Sequence, residues 1–372
     1  MDYHKFKAIC LYSGGLDSIL AIQIIRDAAK GEVEIIPIRF ITPFFDYKNE
    51  EEIKKETAYL KAKFNITLKN IDLTAKYIKL LYSPKYGFGK NLNPCIDCKI
   101  LMIKTAKKIM EKENANFIFT GEVVGQRPKS QMKNKLFLIE REAKLDGYLL
   151  RPLSAKLLDK TIPEKTGIVD RKKLYDINGR SRSVQLKLAE KYNIEYFATP
   201  SGGCLLTDFE YARKLKIIKE KIKLTEHLLK FLKWGRIFMV KNKILIIGRN
   251  DLENKKLLKL ASYNDLLIQP KEIPGPLCVL INNQKASGRL PHQKILKILC
   301  SICAKYSFKK NFNIKSIVKI QFGKKNSTMD NIENLKGLLL KEATEIDVII
   351  DKEKETESKE NEMEKKLGIF KI

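Results

Sequence analysis

Six residues near the amino terminus, Ser13-Gly14-Gly15-Leu16-Asp17-Ser18, place two glycines, two hydroxyls and a carboxylate in one short stretch. They follow the apolar run Ala8-Ile9-Cys10-Leu11 and open a helical pattern with apolar residues at Leu16, Ile19, Leu20, Ile22 and Ile25. A strand, a glycine turn and a helix start, in that order, make a phosphate site. The glycines let backbone N–H groups approach an anion, and the helix N-terminus adds partial positive charge. Ser13 and Ser18 supply hydroxyls, and Asp17 can hold a magnesium ion through an oxygen. No Gly-Lys-Ser/Thr follows, so this is not the Walker pattern. Ser13 as a plain helix N-cap is the simpler alternative, but six such positions directly after a strand argue against it.

A second set of residues with chemistry is Asn93-Pro94-Cys95-Ile96-Asp97-Cys98-Lys99, a CxxC behind a proline at the start of a helix. Two thiolates at that spacing can share one metal centre, and a helix N-terminus lowers thiol pKa values. By itself the pair is open to zinc, redox and iron–sulfur chemistry. Zinc would need a fourth Cys or His, and the three histidines, His4, His227 and His292, show no ligand spacing. Cys204, in the glycine loop Thr199-Pro200-Ser201-Gly202-Gly203-Cys204, is the natural third partner. Three cysteines on a four-iron, four-sulfur ([4Fe–4S]) cluster would leave one iron open to bind and deliver sulfide. The other CxxC, Cys300-Ser301-Ile302-Cys303, lies in a Leu/Ile-rich helical pattern and reads as core packing; Cys10 and Cys278 read as buried and inert.

The elements that must position these groups alternate. Residues 33–40 read as a buried strand, 50–64 as a helix, 66–73 as a strand, 98–112 as a helix and 115–120 as a strand. Strands separated by helices imply a parallel sheet covered on both faces, with ligands at the carboxyl ends of the strands. Ser13, Arg39-Phe40 and Thr120-Gly121 stand at three such ends, so three loops converge on one crevice. From about residue 170 the chain turns basic and helical, with Gly179-Arg180-Ser181-Arg182, then a lysine-rich helix over 210–233 and strands after Trp234. The last stretch, 351–366, alternates acids and lysines as a solvated helix or disordered tail would.

Lys and Arg total 72 against 44 acids, a net charge of +28 spread along all 372 residues. Such an excess implies a polyanionic partner, most simply nucleic acid. A lysine-rich proteome inflates lysine too, but need not create so large an excess over acids. The run at 8–11 is too short for a signal core, and no stretch approaches the roughly 18–20 apolar residues of a membrane span. A soluble cytoplasmic protein is expected, with no membrane partner. Seven cysteines, an odd number, then favour metal or redox chemistry over a disulfide frame.

Residues 13–18 resemble the pyrophosphate loop (PP-loop, SGGxDS) of the ATP pyrophosphatases, which cleave ATP between the α and β phosphates and attach AMP to a substrate oxygen. Thr120-Gly121-Glu122-Val123-Val124-Gly125-Gln126, Ser130-Gln131, Arg151-Pro152-Leu153 and Asp159-Lys160 resemble the catalytic domain of 4-thiouridine synthetases (ThiI-type). The loop order is also similar to the 2-thiouridine synthetases (MnmA-type), and the CxxC with a distant Cys looks like the iron–sulfur-dependent branch of these tRNA thiolases. This likeness covers roughly residues 7–208. Gly248-Arg249-Asn250-Asp251-Leu252-Glu253-Asn254, with Leu260-Ala261-Ser262-Tyr263-Asn264-Asp265-Leu266 and Ile273-Pro274-Gly275-Pro276, is similar to the NFACT-R RNA-binding domain. The first strand starts almost at Met1, so the likeness to ThiI does not extend to a ferredoxin-like and THUMP region, nor to a rhodanese-like tail.

These resemblances imply an α/β, Rossmann-like parallel sheet of the PP-loop type with a smaller C-terminal α+β domain. The expected division is a catalytic region at 1–208, a basic linker helix at 209–234, an RNA-binding domain at 235–347 and a charged tail at 348–372. They imply an ATP-dependent tRNA sulfurtransferase that adenylates a uridine carbonyl and replaces its oxygen with sulfur, uridine 8 being put before the wobble uridine. Ser13, Gly14, Gly15, Asp17 and Ser18 would hold ATP phosphates and Mg2+. Backbone at Arg39, Phe40, Thr120 and Gly121 would hold adenine and ribose. Gln126, Ser130 and Gln131 would position the uracil edge, and Cys95, Cys98 and Cys204 would hold the cluster. Arg180, Arg182 and Arg249 would meet RNA phosphates, and a sulfide or persulfide carrier would donate sulfur. Two other classes stand beside this one. An RNA- or ribosome-binding factor that senses ATP has no need of both an intact SGGLDS and three cysteines. A ligase acting on a small carboxylate or amide has no use for the charge or the RNA-like second domain.

Overall fold

The computed structural model describes residues 6–30, 33–45, 50–197, 203–240, 243–271, 273–281, 292–307, 315–324, 341–351 and 369–372. Residues 199–202 of the glycine loop and most of the acid–lysine stretch at the end lie outside the described residues. The chain divides into two compact units, Met1–Ala212 and Arg213–Ile372.

In the first unit β1 (Phe6–Leu11) leads to α1 (Leu16–Ala28), β2 (Val33–Ile41), α2 (Glu50–Phe64), β3 (Lys69–Asp72) and α3 (Thr74–Tyr82). Then come α4 (Cys95–Lys112), β4 (Phe117–Thr120), α5 (Lys133–Glu142), β5 (Leu149–Leu150), α6 (Ile162–Lys165) and α7 (Ser183–Lys191). The five strands lie in the order β3-β2-β1-β4-β5, and every pair is parallel. Both faces are covered, so side chains alternate between two cores. Ala8, Cys10, Phe117 and Phe119 pack with Leu16, Ile19 and Leu20 of α1 on one face. Ile9, Ile38, Phe40 and Ile118 pack with Ile100, Ile103 and Ala106 of α4 on the other. Pro37 sits inside β2 without harm because β3 pairs only from Ile38 onward, leaving Pro37 a single strand neighbour at Cys10. Strand order reverses between β1 and β4, the place where parallel sheets open a ligand crevice.

The second unit begins with α8 (Phe209–Lys221), which crosses the division, and α9 (Glu226–Phe231). The single helix expected over 210–233 is therefore two. Thr225 starts the second by accepting the Leu228 N–H on its side chain. There follow β6 (Arg236–Val240), β7 (Lys243–Ile247), α10 (Asp251–Leu260), β8 (Leu266–Pro270), β9 (Cys278–Ile281), α11 (Gln293–Ser307), β10 (Lys315–Lys324), β11 (Lys341–Asp351) and β12 (Ile369–Lys371). Among the described residues these strands form one antiparallel sheet, ordered β11-β10-β8-β9-β7-β6-β12. Helix α11 packs Leu296, Leu299, Cys300, Cys303 and Ala304 against Leu245, Ile268, Cys278 and Leu280. The second CxxC and Cys278 are core residues, as the apolar pattern predicts, and burial pushes the Cys300 thiol up to about 12. Among the described residues no helix is long and apolar enough to cross a membrane.

One contact in the first unit fixes the mouth of the crevice. The chain leaving β4 passes so near the first turn of α1 that a Cβ on Gly121 would stand 2.4 Å from the Asp17 carbonyl oxygen and 2.6 Å from the Ser18 nitrogen. Both neighbours are backbone, so neither can swing aside. Gly121→Ala is expected to lower the stability of the first unit by about 1–3 kcal/mol, the usual cost of overpacking. Denaturant unfolding checks it, and an unchanged midpoint would show that the two loops have room to separate.

Candidate active site

The turn after β1 carries the first half of the site. Tyr12 is anchored to the sheet by its N–H, which donates to the Ile38 carbonyl at 2.9 Å. Gly14 takes φ +78, a conformation that favours glycine. The N-cap of α1 is Gly15, in extended conformation, and no side chain caps the helix. The alternative reading of Ser13 as a cap is thus not what the fold uses: Ser13 is exposed, while Ser18 is buried and donates its hydroxyl to the Gly15 carbonyl at 2.7 Å. An uncapped helix start keeps its amides available to an anion. Asp17 stands at that start. Its Oδ2 accepts from Gln126 Nε2 at 3.0 Å, and its Oδ1 is buried with no hydrogen-bond partner among the described residues. A buried carboxylate oxygen without a donor fits a cation ligand.

Beneath the turn lies a buried polar group that the sequence did not announce. Arg39 and Glu56 form an ion pair at 2.5 Å, and the Tyr12 hydroxyl donates to Glu56 Oε1 at 3.0 Å. The strand β2 also runs one residue further than expected. Arg39 and Phe40 lie inside it, paired with Asn70 and Ile71 of β3 and almost fully buried. The chain leaves β2 at Ile41, and the Arg39 side chain is held by Glu56 against the Tyr12 ring.

The loop after β4 forms the third wall. Thr120 is buried and bonds Glu122 through its hydroxyl at 3.2 Å. Gly125, at φ +77, donates its N–H to the Gln131 carbonyl at 2.8 Å, which folds residues 125–131 into a compact hook. Ser154 ties the hook to the next segment, accepting from the Val124 N–H at 3.0 Å and donating to the Ile177 carbonyl at 2.6 Å. Gly179 N–H reaches the Val124 carbonyl at 2.8 Å. That contact sets the segment that leads to exposed Arg180 and half-buried Arg182 against Gly125. Ser130 and Gln131 are buried, and Gln131 Oε1 has no hydrogen-bond partner among the described residues.

The cysteines assemble from two distant segments. Helix α4 begins at Cys95 itself, so Cys95 and Cys98 stand one turn apart on its first turn. The loop before it is fastened to the Cys204 segment: Leu92 N–H donates to the Leu206 carbonyl at 3.2 Å, and Asn91 Nδ2 to the Thr207 carbonyl at 2.8 Å. Leu205 N–H donates to the Phe44 carbonyl at 2.9 Å, while the Thr207 hydroxyl holds the Cys204 carbonyl at 2.7 Å. The three thiols then share one neighbourhood, each close enough to raise another's pKa. Burial pushes Cys98 up to about 11 and Cys204 up to about 12, and it raises Cys95 against the lowering effect of Arg127, Lys99 and Lys129. The lowered thiol pKa expected from the helix N-terminus is therefore corrected: desolvation outweighs charge, and the thiols stay protonated until a cation arrives. Among the described residues no group of three or more His, Cys, Asp or Glu is arranged to hold a single metal ion.

Several residues that make this arrangement possible escape a motif search. Asp97, between the two cysteines, is buried and accepts the N–H groups of Lys85 at 2.9 Å and Tyr86 at 3.0 Å, shaping the loop in front of α4. Lys99, next to Cys98, pairs with Glu122 at 3.1 Å, and Arg151 pairs with Glu122 at 3.3 Å and Glu140 at 3.0 Å. Burial pushes the Glu122 carboxyl up, but Lys99 and Arg151 together bring it below its ordinary value. The signal for Asp97 was its place inside the CxxC; Glu122 and Arg151 stood in the motifs without a role. In the second unit Arg249 has an internal partner, since its Nε donates to Glu253 Oε1 at 2.9 Å and Oε2 at 3.0 Å. Its side chain remains about half exposed, so it offers one face to an anion.

Comparison with known proteins gives two matches to family models. Residues 4–165 match the thiamine biosynthesis protein (ThiI) family, and residues 235–346 match the NFACT protein RNA-binding domain. A probable tRNA sulfurtransferase of Thermococcus kodakarensis is 28% identical over 156 residues, which are 40% of this chain and 36% of that protein. The chain thus spans about a third of that relative's length. A solved 4-thiouridine synthetase–RNA complex with bound ATP aligns at 23% identity over 50% of each chain, with a TM-score of 0.32. The U34-tRNA thiolase NcsA of Methanococcus maripaludis with its [4Fe-4S] cluster aligns at 16% identity over 58% of this chain and 67% of that one, with a TM-score of 0.31. The chain joins a region similar to the ThiI family to a region similar to the NFACT RNA-binding domain.

Proposed function

We propose that the protein is an ATP-dependent tRNA sulfurtransferase, which adenylates a uridine carbonyl oxygen and replaces it with sulfur. The observation that carries this reading is a single bridge. Lys99, beside the cluster of thiols, is ion-paired to Glu122, and the preceding Gly121 lies against Asp17 of the phosphate turn. The proposed phosphate turn and the three thiols are thereby joined through one buried ion pair, which supports their serving one reaction. The net charge of +28 and the match over residues 235–346 support tRNA as the substrate, with uridine 8 the first choice of target.

A uracil carbonyl oxygen is a poor leaving group. In the first step that oxygen attacks the α phosphorus of ATP, pyrophosphate departs, and the base carries AMP. In the second a sulfur nucleophile adds to the same carbon and AMP leaves with the oxygen. The turn at Gly14-Gly15 and the open start of α1 would hold the departing phosphates, an electrostatic role. Asp17 would hold Mg2+, kept in orientation by Gln126. Arg180 and Arg182 would take RNA phosphates at the rim, offsetting the few kcal/mol needed to flip the base from its stack. Cys95, Cys98 and Cys204 would hold a [4Fe–4S] cluster, which when bound supplies an open iron for the sulfur to be transferred. The sulfur donor would be sulfide or a persulfide carrier.

Two outcomes test the reading. Asp17→Asn should cut ATP-dependent pyrophosphate release in the presence of unmodified tRNA by about 100-fold or more, the scale for losing a group that stabilises transition-state charge, with an unchanged thermal midpoint. Undiminished release would remove Asp17 from the phosphate site. After anaerobic reconstitution, Cys95→Ala, Cys98→Ala and Cys204→Ala should each lose most bound iron, whereas Cys303→Ala keeps it. Full iron in Cys204→Ala would dissolve the three-cysteine site.

A further inference from the structure

Tyr77, on α3, belongs to no motif. Its side chain is fully buried, with ring centroids 5.2 Å from Phe44 and 5.8 Å from Phe45. Its hydroxyl completes no well-formed hydrogen bond with any described residue. A phenol left so in a protein interior carries its desolvation cost uncompensated, so its placement needs a reason. The groups it faces are sulfurs: Cys98 and Cys204 are within its hydrogen-bonding reach, and Cys95 lies close enough to act on it electrostatically. A neutral thiol is a weak acceptor, whereas a sulfur carrying negative charge is a strong one. The bond on offer is therefore faint in the metal-free protein and strengthens when the sulfurs ligate metal.

We propose that Tyr77 is a positioning residue for the thiol site, its hydroxyl donating to the sulfurs of Cys98 and Cys204 when these hold an iron–sulfur group. The inference rests on the reading of that site as a cluster site. Tyr77 would then join the two parts of the site that are far apart in sequence, the first turn of α4 and the segment fastened by Leu205 and Thr207. Phe44 serves both ends of the bridge, since its ring packs on Tyr77 and its carbonyl accepts the Leu205 N–H. Hydrogen bonds to ligand sulfurs withdraw charge and favour the reduced state, which raises a cluster's potential.

The test uses full-length protein reconstituted anaerobically with ferrous iron and sulfide, as wild type, Tyr77→Phe and Phe44→Leu. Iron per chain, the midpoint potential by dye-mediated titration and the loss of visible absorbance in air are measured. Tyr77→Phe keeps the ring and is expected to hold wild-type iron with a wild-type thermal midpoint. Its potential should fall, and its cluster should be lost about threefold faster or more, the factor expected for one missing hydrogen bond. Phe44→Leu disturbs the same packing but keeps the hydroxyl, so its potential should stay at the wild-type value. Tyr77→Phe equal to wild type in potential and in loss rate would overturn the proposal, as would Phe44→Leu reproducing the shift. Wild type that takes up no iron would overturn the cluster reading, and the proposal with it. Full iron with equal potentials would overturn the role of Tyr77 alone.

Discussion

Glu122 is a carboxylate with almost no access to water, and the crevice is built around keeping it ionised. Lys99 reaches it from the cysteine helix and Arg151 from the end of β5, while the residue before it touches the phosphate turn. Removing one partner of a buried ion pair strands the other charge at a cost of about 3–5 kcal/mol, so the three segments hold or yield together. The interaction is structural, and it links the turn at Asp17 to the helix that carries Cys95 and Cys98. A shift in either element would be felt at the other, which would suit the proposed two-step reaction on one base.

Burial has opposite effects in the two halves of the site. At the phosphate turn it leaves Asp17 Oδ1 without a donor, poised for a cation. At the cysteines it keeps the thiols protonated despite Lys99, Arg127 and Lys129 around Cys95. Binding of the proposed cluster there would expel protons, which would couple uptake to pH and favour it as pH rises. Protonated thiols are poor nucleophiles.

The turn at residues 13–18 was legible in the sequence because local order dictates it: apolar strand, two glycines, helix. The pairing of Cys95 and Cys98 was legible for the same reason, since three residues make nearly one helical turn. Position in space across long separations was not. Arg39 stands at a predicted strand end, but β2 continues past it and a buried Glu56 claims its guanidinium. Arg249 reads as an RNA contact in its motif, yet Glu253 four residues on clasps it. Nothing in the local sequence distinguishes Tyr77 from any apolar helix position; only the fold turns its hydroxyl toward the sulfurs. The one helix expected over the lysine-rich run is two, the second starting behind the capping side chain of Thr225.

The most direct measurement is the nucleoside composition of unmodified tRNA after incubation with anaerobic, iron-loaded protein, ATP, Mg2+ and sulfide. A thiouridine is expected by mass spectrometry, formed in proportion to AMP released and absent when ATP is replaced by a non-cleavable α,β-analogue. AMP release with no sulfur in the tRNA, or thiouridine formed without ATP cleavage, would contradict it.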